Sequence, residues 1–194
     1  MRISGHISII LGAIIAQYAT ANAQQDKYAD IRERLEVCAG CHGELGASKD
    51  PEVPILAGQE YYYLYVQLKD FKAGRRASVD MEPIVEDMEK KDMKALAQFF
   101  SEQTWPNIPY RASPEQASIG ATATTAGQCV ACHLGAYDGN SRVPRLAGQY
   151  PEYLERTMDD FKNKVRLNSP AKGSLMISYS DEDIAAMAAF LGNL

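Results

Sequence analysis

A five-residue pattern occurs twice in the chain, as Cys38-Ala39-Gly40-Cys41-His42 and as Cys129-Val130-Ala131-Cys132-His133. The sequence has 4 Cys and 3 His, and only His6 falls outside the two motifs. In Cys-x-x-Cys-His, two thiols can add across the two vinyl groups of one porphyrin, and the adjoining imidazole then lies under the iron. Other readings leave residues unused. A thioredoxin-like pair needs no His after it. A four-Cys zinc site would make both His incidental, and two small disulfides would do the same. The motifs therefore predict two covalent haem c groups, held through Cys38, Cys41, Cys129 and Cys132, with His42 and His133 as proximal iron ligands.

The N-terminus bears on the compartment. Arg2 precedes an apolar run, Ile7 to Ala16, interrupted only by Ser8 and Gly12, and Ala21-Asn22-Ala23 forms a small-x-small site before Gln24. This predicts a signal peptide over 1–23, too short to span a bilayer, with an uncleaved anchor as the alternative. Export to the periplasm agrees with haem attachment, which bacteria carry out outside the cytoplasm. Loss of Arg2 with residues 1–23 leaves 19 Lys and Arg against 25 Asp and Glu, a formal net charge of −6. Such a balance argues against nucleic acid as a partner. The acidic excess lies mainly in residues 24–110, where it either steers a basic redox partner or forms a solvated surface.

The remainder is a tandem repeat. Val53-Pro54-Ile55-Leu56-Ala57-Gly58-Gln59 matches Val143-Pro144-Arg145-Leu146-Ala147-Gly148-Gln149 at an offset of 90. Asp70-Phe71-Lys72 matches Asp160-Phe161-Lys162 at the same offset, and Asp92 and Phe99 match Asp183 and Phe190 at 91. Two copies of one unit follow, an N-terminal domain over 24–108 and a C-terminal domain over 109–194. Each is small for a self-sufficient core, and an enclosed haem would enlarge it.

The periodicity is helical throughout, and no segment alternates as a strand. Tyr28, Ile31 and Leu35 lead into the first motif. Ser113-Pro114-Glu115-Gln116 has the cap, first-turn proline and capping-box Gln of a helix expected to run into Cys129. Stripes of Tyr61, Leu64, Tyr65, Leu68 and Phe71, and of Tyr150, Leu154, Met158 and Phe161, mark a second helix in each copy. Met93, Leu96, Ala97 and Phe100, matched by Ile184, Met187, Ala188 and Leu191, mark a last one. Thr104 to Ala112 is the linker. Arg75 and Arg76 read as a solvated helix end, with contact to haem propionates as the alternative.

These features together resemble the dihaem cytochrome c4 family, over nearly all of residues 27–194. The resemblance implies an all-α fold of two tandem class I cytochrome c domains related by a pseudo-twofold, each enclosing one haem. It also implies that the carbonyls of Pro54 and Pro144 accept from the proximal histidines; the alternative is that each proline only ends the haem loop. Dihaem subunits of sulfur-oxidising flavoenzymes share part of the pattern.

The sixth ligands remain to be assigned. With residues 1–23 removed, no His is left outside the motifs. Of the Met residues, Met88, Met93, Met158 and Met187 pair across the repeat with other apolar residues and read as core. Met81 and Met176 remain, both between the second and last helices, where class I cytochromes place the ligand. Met81 and Met176 are therefore the expected iron ligands. The second is the less direct, because strict register at 91 sets Lys172, not Met176, opposite Met81. A thioether needs no deprotonation, which favours Met176.

An iron with both axial positions filled has no open site for substrate. The expected function is electron transfer between respiratory partners, for example to a terminal oxidase, and not catalysis. One alternative is an electron-accepting subunit of a sulfide- or thiosulfate-oxidising dehydrogenase. Another is a haem enzyme such as a peroxidase. The domains are expected to pack with their haem edges close together.

Overall fold

The structure, a computed structural model, describes residues 27–194, so the signal-peptide expectation lies outside the described residues. Among the described residues the fold is helical, with no strand beyond isolated bridges. The first half contains α1 (Arg32–His42), α2 (Tyr61–Lys72), α3 (Met81–Val85) and α4 (Lys90–Ser101). The second half repeats them as α5 (Pro114–Ala126) with α6 (Val130–His133), then α7 (Pro151–Lys162), α8 (Pro170–Met176) and α9 (Asp181–Gly192).

The helix ends follow from local chemistry. Ser113 and Ser180 each accept from the third backbone N–H of their helix, and Gln116 and Asp183 reach back to the cap, completing capping boxes at α5 and α9. Glu89 and Asp92 do the same at α4. Gly74 closes α2 at φ +65, in the left-handed region open to glycine. Its counterpart Lys164 adopts φ +59 without that freedom.

One boundary departs from expectation. The helix opened by Pro114 stops at Ala126 and does not run into Cys129. Gln128 then takes φ +50, and a separate short turn, α6, carries the motif. Beside the break, the Tyr179 hydroxyl sits so close to Gly127 that a Cβ would meet it at 2.5 Å. That hydroxyl donates to the Ala123 carbonyl at 3.3 Å. In the first copy, α1 passes unbroken through Cys38, Cys41 and His42.

Each half has its own core. Tyr28, Ile31, Leu64, Phe71, Met93, Leu96 and Phe100 build the first, and Leu35, Cys38 and Met81 pack against it. In the second, α9 lies on α5 and α7. The α5–α9 crossing is so close that a Cβ on Gly120 would fall 2.1 Å from the Ala186 carbonyl. Met88, Met93 and Met187 are buried, as core positions should be.

The two halves meet through a pseudo-twofold set of bonds. Gln149 accepts from the Ile55 N–H at 3.0 Å and donates to the Ile55 carbonyl at 3.1 Å. Gln59 treats Arg145, the repeat partner of Ile55, in the same way, at 2.8 and 3.0 Å. Arg76 and Arg166 form an isolated antiparallel bridge. Arg76 donates to the Tyr153 hydroxyl, and Arg166 donates to that of Tyr63, the partner of Tyr153. The linker packs into the same seam: Ile108 is buried beside Ile55 and Ala57, and Trp105 donates to the Gly148 carbonyl.

Candidate haem-binding sites

Each proximal histidine is held by its second nitrogen. His42 Nδ1 lies 2.9 Å from the Pro54 carbonyl oxygen, and His133 Nδ1 lies 2.9 Å from that of Pro144. A carbonyl only accepts, so Nδ1 carries the proton and Nε2 keeps its lone pair for iron. Burial lowers the pKa of both rings, which holds them neutral, the ligating form. The prolines therefore orient the imidazoles as the resemblance implied.

In the first half, Cys38 and Met81 pack against one core, and α1 places Cys38, Cys41 and His42 on consecutive turns beside it. In the second half, Cys129 packs with Tyr137, Leu154 and Leu191, and α6 presents Cys132 and His133.

The distal segments align residue by residue through their backbone bonds. The Ser78 carbonyl accepts from Glu82 N–H as that of Ser169 accepts from Gly173 N–H. Val85 accepts from Met88 as Met176 accepts from Tyr179. Lys72 Nζ donates to the Met88 carbonyl and Lys162 Nζ to the Tyr179 carbonyl, both at 2.7 Å. The offset is therefore 91 from Ser78 to Asp92, and it places Lys172 on Met81 and Met176 on buried Val85. The offset changes from 90 to 91 between Arg166 and Ser169, where the second copy has one extra residue. Lys172 is half-buried, with its ammonium 5.6 Å from the centre of the Phe161 ring. Burial, reinforced by Arg166, pulls its pKa down to about 8.

Arg76 is not part of a solvated helix end. It is partly buried between the halves, stacked 4.5 Å over Phe71, whereas Arg75 is exposed and pairs with Asp70. Arg166 stacks on Phe161 at the same distance. Both guanidiniums donate to the Gln67 side chain. Neither has a carboxylate within ion-pair distance among the described residues. Burying a cation costs several kcal/mol unless an anion compensates. Although burial opposes it, Arg166 and Arg76 together pull the Tyr63 phenol below its ordinary pKa. The charge of Arg76 is also felt at His42, and that of Lys172 at His133. Two guanidiniums without a carboxylate partner among the described residues, Arg166 buried and Arg76 partly buried, have the charge that haem propionates would pair with. Sequence reasoning read Arg76 as part of a solvated helix end, with propionate contact as the alternative, and did not single out Arg166; their recurrence at an offset of 90 was the available signal.

Paired Cys-x-x-Cys-His sites on two small helical units define a tandem class I cytochrome c that carries two haem c groups and transfers electrons. Residues 117–194 match the family model described as Cytochrome c. Cytochrome c4 of Thiocapsa roseopersicina is 34% identical over 189 residues, covering 91% of this chain and 96% of that protein. The crystal structure of reduced recombinant cytochrome c4 from Pseudomonas stutzeri superposes with a TM-score of 0.76 at 29% identity, covering 90% of this chain and 98% of that one. The chain belongs to the cytochrome c4 family. It is also similar to a thiosulfate dehydrogenase electron acceptor of Stutzerimonas stutzeri, 30% identical over 81% of this chain and 78% of that protein.

Proposed function

We propose that this protein is a periplasmic electron carrier that takes electrons from one respiratory donor and delivers them to an acceptor such as a terminal oxidase. The carrying observation is the pair of Cys-x-x-Cys-His sites joined through one seam, where Arg76 and Arg166 bridge the halves and bond to Tyr153 and Tyr63. Two haem-binding halves clamped together in this way hold their redox centres in one fixed relative orientation. When bound, each haem supplies a one-electron ferric–ferrous couple. The chain does the rest. Cys38, Cys41, Cys129 and Cys132 would anchor the groups, and His42 and His133, oriented by the carbonyls of Pro54 and Pro144, would bind the irons. Met81 would supply the other ligand of the first iron and so keep substrate out. The N-terminal domain is taken as 24–108 and the C-terminal as 109–194, following cleavage after Ala23.

Purification from native periplasm tests this. The expected protein begins at Gln24, carries two haems c, resists cyanide in its native state and is reoxidised by membranes containing a terminal oxidase. An intact Met1, or ready cyanide binding at a haem, would overturn the reading. The likeness to a thiosulfate dehydrogenase electron acceptor favours a second reading, as the accepting subunit of a dehydrogenase. Stoichiometric co-purification of a catalytic subunit would establish that role in place of the free carrier.

A further inference from the structure

We propose that Lys172 supplies the sixth ligand to the haem held by Cys129, Cys132 and His133, so that the two irons differ in axial chemistry. The inference rests on the two-haem reading and deepens it.

Three observations carry it. The backbone bonds of Ser78 and Ser169 begin an alignment that continues without a break to the capping boxes of α4 and α9. Within it, Lys172 occupies the position of Met81. Met176 stands four residues further on, where the first copy has Val85. Four residues are one helical turn, about 6 Å along the axis. Met176 is thus displaced from the Met81 position by a turn, in a slot that the first copy fills with a buried residue unable to bind iron. The third observation is the course of the Lys172 side chain. Half-buried, it lays its ammonium over the Phe161 ring, 5.6 Å from the ring centre. No carboxylate pairs with it among the described residues. A half-buried amine at the register of a ligand is placed to donate its lone pair to iron.

The test uses the full-length dihaem protein at one fixed pH, with haem counted separately by alkaline pyridine. Two haems per chain are expected; fewer would overturn the two-haem reading itself, and this proposal with it. The ferric wild-type protein should show the Met–iron charge-transfer band at half the intensity of two Met-ligated haems, and Met81→Ala should abolish it. Lys172→Met should double the band and raise one potential. Met176→Leu should leave band and potentials unchanged. Lys172→Ala should leave one haem high-spin or open to cyanide. A wild-type band of full intensity that Met176→Leu halves would overturn the proposal. So would a Lys172→Ala protein whose second haem keeps its wild-type electron paramagnetic resonance signal. The wild-type band decides the matter even if every variant fails to fold.

Discussion

Gln149 satisfies both backbone groups of Ile55, accepting at 3.0 Å and donating at 3.1 Å, from the opposite half of the molecule. Gln149 and Ile55 are almost fully buried. The bond pair therefore acts as an interdomain clamp, and Gln59 on Arg145 is its symmetry mate. Gln149→Ala would leave the Ile55 N–H and carbonyl buried without partners. A loss on the order of 2 kcal/mol is expected, since each unsatisfied buried polar group costs about 1–3 kcal/mol. Denaturant unfolding monitored by haem absorbance measures it. Unchanged stability would show that the halves are not clamped there.

Arg166 is buried with Tyr63, Gln67 and Asn168 around it. A fixed cation near haem favours the ferrous state, which carries one less positive charge. Arg166→Met is expected to lower at least one potential, by on the order of 1 kcal/mol for a unit charge about 10 Å away at an effective dielectric near 20. A spectroelectrochemical titration reads this directly. A rise in both potentials would show that the guanidinium does not act electrostatically on haem.

Gly120 lets α5 and α9 cross at backbone contact. A methyl there would meet the Ala186 carbonyl at 2.1 Å and Phe190 Cβ at 2.5 Å. Neither is the end of a flexible chain, so the helices must separate. Gly120→Ala should destabilise the second half by about 1–3 kcal/mol, against the usual helix-favouring effect of alanine. Differential unfolding of the two haem environments should localise the loss to the site at Cys129 and Cys132.

Glu102 fastens the start of the described chain to α4, accepting from Lys27 at 2.6 Å and from the Tyr28 hydroxyl at 2.7 Å. Hydrogen bonds from Lys27 and Tyr28 pull its carboxyl down to about 2 from 4.5. Because the folded value is the lower one, its stabilisation is fully present above pH 4.5 and disappears as pH falls toward 2. The pair is solvent-accessible, so Glu102→Gln should cost no more than about 1 kcal/mol near neutral pH. The difference from wild type should vanish near pH 2. A difference that grew on acidification would contradict the assigned direction.

The haem motifs were legible because thioether attachment is local chemistry: two thiols and an imidazole within five residues define the cofactor without reference to the rest of the chain. The repeat was legible from matched residues, and it carried the helices and the cores, while the roles of Pro54 and Pro144 came from the family resemblance. Tertiary structure decided what depends on register and on contact across the seam. Residue spacing alone could not locate the single extra residue between Arg166 and Ser169: placed before Ser169 it sets Lys172 opposite Met81, placed after Lys172 it sets Ala171 there, and Met176 would need four further residues. Only the bonds of Ser169 and Lys162 locate it. Likewise Gln59 and Gln149 are plain repeats in sequence, and whether such a side chain turns inward or clasps the other half depends on how two separately folded surfaces meet. Arg76 follows the same logic: a helix-end arginine is solvated by default, and it becomes partly buried only because a second copy of the unit packs against it.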